Sequence, residues 1–159
     1  MKKFLPVLVG LALLSACKKD TETKPATATN TELLTAKSWR VTAKVTTFTA
    51  NGQTATTDDY ASSQPCERDN FYKFNTAYAL VIDEGATRCS PTDPQTNNGT
   101  WGFAGNEKQL VLSTQVSSTV SYSLTFDILE LSATTMRLRY TDTSSPSYTA
   151  VQEATFTAF

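Results

Sequence analysis

The sequence predicts an all-β fold, a small antiparallel up-and-down barrel of about eight strands. Threonine occurs 28 times among 159 residues, and threonine, like valine, tyrosine and phenylalanine, favours strands over helices. Short runs in which apolar and polar residues alternate recur along the chain, and turn residues separate them. Eight or nine such strands joined by short turns form a meander, which protects its edges best by closing into a barrel.

The first predicted strand runs from Ser38 to Ala50 and alternates with a period of two. One predicted face carries Trp39, Val41, Ala43 and Val45, and the opposite face carries Arg40, Thr42, Lys44 and Thr46. Asn51-Gly52 follows, a strong hairpin signal, and Gln53 to Thr57 is predicted to return as the partner strand. Before this hairpin, Thr31 to Lys37 can form one helical turn.

Seven further strands are predicted downstream. They cover residues 70–74, 78–82, 99–103, 109–113, 120–131, 136–141 and 148–156. A two-sheet sandwich is the rival architecture, but its Greek-key crossings need long connections. Only residues 58–69 and 88–98 form long connections, so the barrel is favoured.

The N-terminus reads as a targeting signal. Lys2 and Lys3 precede an apolar run from Phe4 to Leu14, which is too short to span a bilayer. Small residues then lead to Cys17. We therefore expect residues 1–16 to be a signal peptide that is removed.

The segment Leu14-Ser15-Ala16-Cys17 resembles the lipobox of bacterial lipoproteins. This resemblance implies that Cys17 is acylated, with chains such as palmitate, and becomes the new N-terminus. The alternative is an ordinary cysteine after a plain secretory signal. Several acyl chains on one residue hold a protein durably at a membrane surface, so we expect a location in the bacterial cell envelope, at the outer membrane. The sequence does not indicate the periplasmic or the surface side.

Residues 17–32 are expected to form the lipidated cysteine and a flexible tether, and residues 33–159 the barrel domain. The tether sequence KKDTETKPATATNT contains no apolar residue larger than alanine, so it cannot pack into a core. As a flexible coil it would hold the domain on the order of 20 Å from the lipid.

Charge and composition exclude several classes of function. The full chain has a formal net charge of −1, and loss of the two signal lysines leaves 12 basic against 15 acidic residues, a charge of −3. Nucleic acid is therefore not an expected partner. Histidine is absent, and the acidic clusters Asp58-Asp59, Glu67 with Asp69, and Asp83-Glu84 fall in predicted loops. We expect no enzymatic activity, no cofactor and no metal site.

Two cysteines remain once Cys17 is assigned to lipid. Because an exported protein folds under oxidising conditions, Cys66 and Cys89 are expected to form a disulfide. The alternatives are a metal pair or a redox pair. Two cysteines without histidine and without CxxC spacing support neither.

The domain also resembles the lipocalin-like domains of lipoproteins from Bacteroidetes-type bacteria. The resemblance rests on residues 33–39 (LLTAKSW), 66–74 (CERDNFYKF), Cys89, and Gly99-Thr100-Trp101. It implies a small up-and-down barrel with the two cysteines bridged. Lipocalins carry a G-x-W motif on the first strand, and here Lys37 replaces the glycine. By the same resemblance, Trp39 closes the barrel bottom, and Arg137 or Arg139 is the candidate to cover that tryptophan.

Period-2 aromatic residues are the candidates for barrel closure or for a pocket: Trp39, Tyr72, Phe74, Trp101, Tyr122 and Tyr140. Most are expected to be core. We expect a membrane-anchored binding module for a small hydrophobic ligand or an envelope component. The alternative is a structural or accessory interaction protein with a filled core and an exposed apolar patch or strand edge.

Overall fold

The structure is a computed structural model that describes residues 27–115 and 120–159. The predicted signal, Cys17 and most of the predicted tether lie outside the described residues. Three short helices and nine strands occur in the described part of the chain. The helices are α1 (Asn30–Thr35), α2 (Asp59–Ser62) and α3 (Pro65–Arg68); the strands are β1 (Ser38–Ala50), β2 (Gln53–Asp58), β3 (Phe71–Phe74), β4 (Ala79–Asp83), β5 (Thr96–Ala104), β6 (Gln109–Gln115), β7 (Ser121–Leu131), β8 (Thr135–Asp142) and β9 (Thr149–Ala158).

Eight of these strands form a closed antiparallel barrel. Strands β3 to β9 pair in sequence order, and β1 closes the sheet by pairing with β3 on one side and with β9 on the other. The predicted all-β, up-and-down barrel is therefore confirmed. Helix α1 begins at Asn30, so this helix starts inside the segment predicted as tether.

Strand β2 is the ninth strand and lies outside the closed ring. It pairs with β1 through a tight turn at Asn51 and Gly52, whose positive φ angles of 52° and 75° suit a two-residue hairpin loop. The lower part of β1, residues 38–40, pairs with β3, whereas residues 45–50 pair with β2. Consequently β1 and β3 separate towards one end of the barrel, which we call the open end.

A β-bulge in β1 changes the predicted facing of its second half. The register against β9 shifts between Val41 and Ala43. Beyond the shift, Lys44 lines the barrel interior and Thr46 is buried with 7% exposure, whereas Val45 is 37% exposed. The predicted assignment of Ala43 and Val45 to the face of Trp39 is therefore wrong, because one extra residue reverses the alternation.

The other end of the barrel, the closed end, is filled with apolar side chains. The core at this end consists of Leu34, Trp39, Phe74, Leu80, Trp101, Leu110 and Met136, and the buried Leu138 and Phe156 continue it to the cavity of the open half. Helix α1 covers this end, and the Trp39 indole Nε1 donates a hydrogen bond of 2.9 Å to the carbonyl oxygen of Leu34. The Trp101 indole Nε1 donates to the carbonyl oxygen of Asn75 at 3.0 Å, so the buried indole N–H groups of both tryptophans have hydrogen-bond acceptors.

Neither Arg137 nor Arg139 covers Trp39. Both arginines point outward from β8, where Arg137 pairs with Glu153 at 3.5 Å and Arg139 pairs with Asp127 at 3.0 Å. Period-2 alternation explains this result, since Met136 and Leu138 occupy the inward positions between them. The indole of Trp39 is satisfied by helix α1 instead.

The predicted disulfide is confirmed. Cys66 in α3 is bonded to Cys89 in the β4–β5 connection, with Cα atoms 5.2 Å apart. Asp69 Oδ2 reinforces the junction, because it accepts hydrogen bonds of 2.9 Å from both the backbone nitrogen and the hydroxyl of Thr87. The disulfide therefore fixes the segment that carries α2 and α3 to the neighbouring connection at the open end.

Candidate ligand site at the open end

A cavity of about 400 Å³ occupies the barrel interior towards the open end. This volume falls within the range of small-molecule sites in proteins. Apolar side chains form most of the walls, and polar and charged side chains complete them: the lining consists of Val41, Lys44, Tyr60, Ser63, Glu67, Arg68, Asn70, Tyr72, Leu112, Leu124, Phe126, Leu138, Gln152, Ala154 and Phe156.

The apolar walls come from cross-strand neighbours. Leu112 on β6 lies opposite Leu124 on β7, and Leu138 on β8 lies opposite Ala154 on β9. Directly opposed residues in an antiparallel pair share one face of the sheet, so both pairs face the interior. The small side chain of Ala154 leaves room in a layer that a larger residue would fill.

A polar chain of hydrogen bonds lies beside this apolar wall. Gln152 Nε2 donates to the Thr46 hydroxyl at 3.3 Å, and that hydroxyl donates to Asp59 Oδ2 at 2.5 Å. The Thr57 hydroxyl donates to the other Asp59 oxygen at 3.1 Å. These bonds tie the barrel wall to the first residue of α2 and satisfy the buried threonine.

Helices α2 and α3 form a cap beside the mouth, where β1 and β3 separate. Asp58 caps α2 by accepting a 2.8 Å hydrogen bond from the backbone nitrogen of Ala61. Arg68 Nη2 donates to the carbonyl oxygen of Ala61 at 2.8 Å, and its guanidinium lies 5.3 Å from the centroid of the Tyr60 ring. Arg68 thus joins the two helices and also lines the cavity.

Tyr72 projects from β3 into the cavity. Its ring packs edge-on against Phe156 with centroids 5.4 Å apart. Burial raises the pKa of the Tyr72 hydroxyl, and the negative charge of Glu84 raises it further. The phenol is therefore neutral across the physiological pH range and offers a hydrogen-bond donor to a molecule in the cavity.

Two other tyrosines lie at the rim. Tyr140 packs against Phe126 with ring centroids 5.8 Å apart, whereas Tyr122 is 56% exposed. Desolvation raises the pKa of Tyr140, with smaller contributions from Asp142 and Tyr122. Neither residue lines the cavity.

The structure thus divides the six predicted aromatic candidates among three places. Trp39, Phe74 and Trp101 lie in the closed-end core, Tyr122 and Tyr140 lie at the rim, and Tyr72 lines the cavity. Sequence reasoning missed Lys44, because the bulge that turns it inward has no clear sequence signal. It also missed Arg68, although the position of this residue beside Cys66, in a long connection, was available as a clue.

No group of three or more histidine, cysteine, aspartate or glutamate residues within 27–115 and 120–159 is placed to hold a metal ion. Among the helices of that same part of the chain, none combines the length and apolar character needed to cross a membrane.

The strand pairing and the cavity define a small, closed antiparallel β-barrel with an internal, mainly apolar site. A crystal structure of a lipocalin-like protein from Bacteroides uniformis aligns with 80% of this chain and 99% of its own length, at 14% sequence identity and a TM-score of 0.44. No protein-family model matches the sequence, and no curated protein matches it. The barrel assignment follows from the strand pairing of this chain itself.

Proposed function

We propose that this protein is a lipid-anchored binding module of the bacterial envelope, which holds a small hydrophobic molecule in its open-end cavity. The cavity carries the proposal. It is large enough for a compact ligand. Its leucine, valine and phenylalanine walls offer water no hydrogen-bond partners, so an apolar ligand that displaces water from them binds favourably. Tyr72 supplies a polar contact within the apolar surface.

A structural or accessory protein with a filled core is the second candidate. One observation favours it: all six residues of β2 are exposed, and β2 is the last strand on its side of the sheet. A free strand edge can pair with another chain. The cavity counts against this candidate, because a filled core is what it predicts.

Attachment through Cys17 is the second part of the proposal. The sequence ending in Cys17 supports it, and α1 begins only thirteen residues later, at Asn30. Metabolic labelling with radioactive palmitate tests it directly. We expect label in the wild-type protein and none in Cys17→Ser, whereas equal labelling of both would contradict the assignment.

Binding is tested with N-phenyl-1-naphthylamine, a neutral apolar dye that fluoresces in dry surroundings. We expect saturable binding of one dye per chain. Ala154→Phe should abolish binding by filling the cavity, while Ala79→Phe, a matched change at an exposed position of β4, should not. The proposal fails if the dye does not bind, or if both variants bind it equally.

A further inference from the structure

The most unusual side chain in the cavity is a lysine on the barrel wall. Lys44 lines the interior because the β1 bulge turns it inward, opposite Ala154 on β9. Bulges commonly re-aim a side chain at a functional site. No acidic residue in the described ranges forms an ion pair with Lys44. Lys44 is half-buried, and a bound anion would compensate its ammonium group for the hydration that it gives up inside the cavity.

A second cation lines the same cavity from the cap. The Nε atom of Arg68 is shielded from solvent and has no hydrogen-bond partner within the part of the chain that the structure describes. Its Nη2 atom is already used, since it donates to the carbonyl oxygen of Ala61. Arg68 therefore retains an unsatisfied donor while its position is fixed by the cap.

The acids near the mouth form no ion pair with these two cations within the described residues. Glu67 is the one acid among the cavity-lining residues, so Lys44 and Arg68 leave a formal lining charge of +1. The Glu67 carboxylate accepts a 2.8 Å hydrogen bond from the backbone nitrogen of Gln64 and so caps its own helix. Asp59 accepts from Thr46 and Thr57. Cationic donors without an ion-pair partner beside an apolar wall favour a ligand that is apolar at one end and negative at the other.

We propose that the cavity selects an amphipathic anion, whose apolar body fills the leucine-lined interior and whose carboxylate or phosphate group binds Lys44 and Arg68. The proposal deepens the proposed function and rests on it. The volume of about 400 Å³ limits the apolar body to on the order of a dozen groups the size of a water molecule or a methylene. Tyr72 can add a neutral hydrogen bond to the headgroup.

Competition against the neutral naphthylamine dye measures this selectivity. The competitors are decanoate, decyl phosphate and decanol, which share one alkyl chain and differ in the headgroup. At pH 8, and below micelle-forming concentrations, we expect at least one of the two anions to bind about tenfold or more tightly than decanol, the factor for one charge-assisted hydrogen bond. The relative order of decanoate and decyl phosphate distinguishes a carboxylate from a phosphate headgroup.

Variants assign the selectivity to residues. Lys44→Met and Arg68→Met should each reduce the preference for the anion over decanol, and the double variant should abolish it while dye affinity is retained. Lys44→Arg should preserve the preference. The matched control is Lys73→Met, because Lys73 is exposed on β3 and lies outside the cavity lining.

The outcomes separate the two proposals. Absence of dye binding to the wild-type protein overturns the proposed function, and anion selection with it. Dye binding with equal competition by decanol and by both anions overturns anion selection alone. So does a preference that survives in the double variant, because other groups would then bind the charge.

Discussion

The two halves of the barrel interior are built from the same strands and have different character. At the closed end, residues such as Leu80 and Leu110 are fully buried, and the indole of Trp39 is hydrogen-bonded to helix α1. At the open end, Leu112 and Leu124 face a cavity, and charged side chains join the lining. The comparison indicates that stability is concentrated at one end, while the other end retains space and unsatisfied polar groups.

Truncation of one leucine to alanine in each half should lower the free energy of unfolding by clearly different amounts. Leu110→Ala creates a hole in the packed core, so we expect a loss of about 3.5 kcal/mol in the free energy of unfolding. Leu124→Ala enlarges an existing cavity and should cost about 1.5 kcal/mol, because fewer contacts are lost. Urea denaturation of both variants gives the difference, and equal losses would contradict the distinction.

Removal of the disulfide should affect stability strongly and the open end locally. The bridged residues are 23 positions apart, so the loop-closure model predicts that the paired change to serine costs about 3 kcal/mol. Because the disulfide fixes α3, hydrogen exchange should increase in α2 and α3. Amides of Leu80 and Met136, at the closed end, provide the internal control, and uniform exchange changes would oppose a local role.

A modest cavity filling should change stability little and binding greatly. Ala154→Leu places extra methyl groups in empty space, so we expect a change within about 1 kcal/mol in the free energy of unfolding. Dye binding should nevertheless weaken by tenfold or more. Thermal unfolding and dye titration on one sample test both effects, and unchanged affinity would show that the dye binds elsewhere.

The smallest expected effect concerns a surface pair outside both halves. Hydrogen bonds from Gln109 and Arg139 lower the pKa of Asp127. A carboxyl whose folded-state pKa is lowered adds stability above its unfolded pKa of about 3.9 and loses that contribution as the pH falls through the folded value. Since the pair is solvent-exposed, Asp127→Asn should cost about 0.5 kcal/mol at pH 7.

The pH dependence of that difference provides the check. Unfolding free energies of wild type and Asp127→Asn should converge as the pH falls below 4. A difference that persists undiminished at lower pH would rule out the carboxylate charge as its source.

The sequence predicted the strands because alternation and turn signals act locally. The hairpin at Asn51-Gly52 and the approximate bounds of β7 follow directly from such signals. The disulfide followed from the exported setting and from the number of cysteines. The strands and the hairpin depend on neighbouring residues, and the disulfide was predicted because only two cysteines remain once Cys17 is assigned to lipid.

The candidate site was harder to predict because it depends on register. A single extra residue in β1 turns Lys44 inward, and the sequence alternation around Val41 and Val45 indicated the opposite. Arg68 reaches the cavity only because β1 and β3 separate and the cap fills the gap. Such long-range geometry leaves no local signal, so only Tyr72 among the predicted aromatics proved to line the cavity.

Leucine methyl NMR during titration with the neutral naphthylamine dye tests the central claim most directly. We predict saturable shifts at Leu112, Leu124 and Leu138, which line the cavity, with unchanged signals at Leu34, Leu80 and Leu110 in the closed-end core. Shifts confined to the closed-end leucines, or the absence of any shift at saturating dye, would contradict the division of the barrel into a packed end and a binding end.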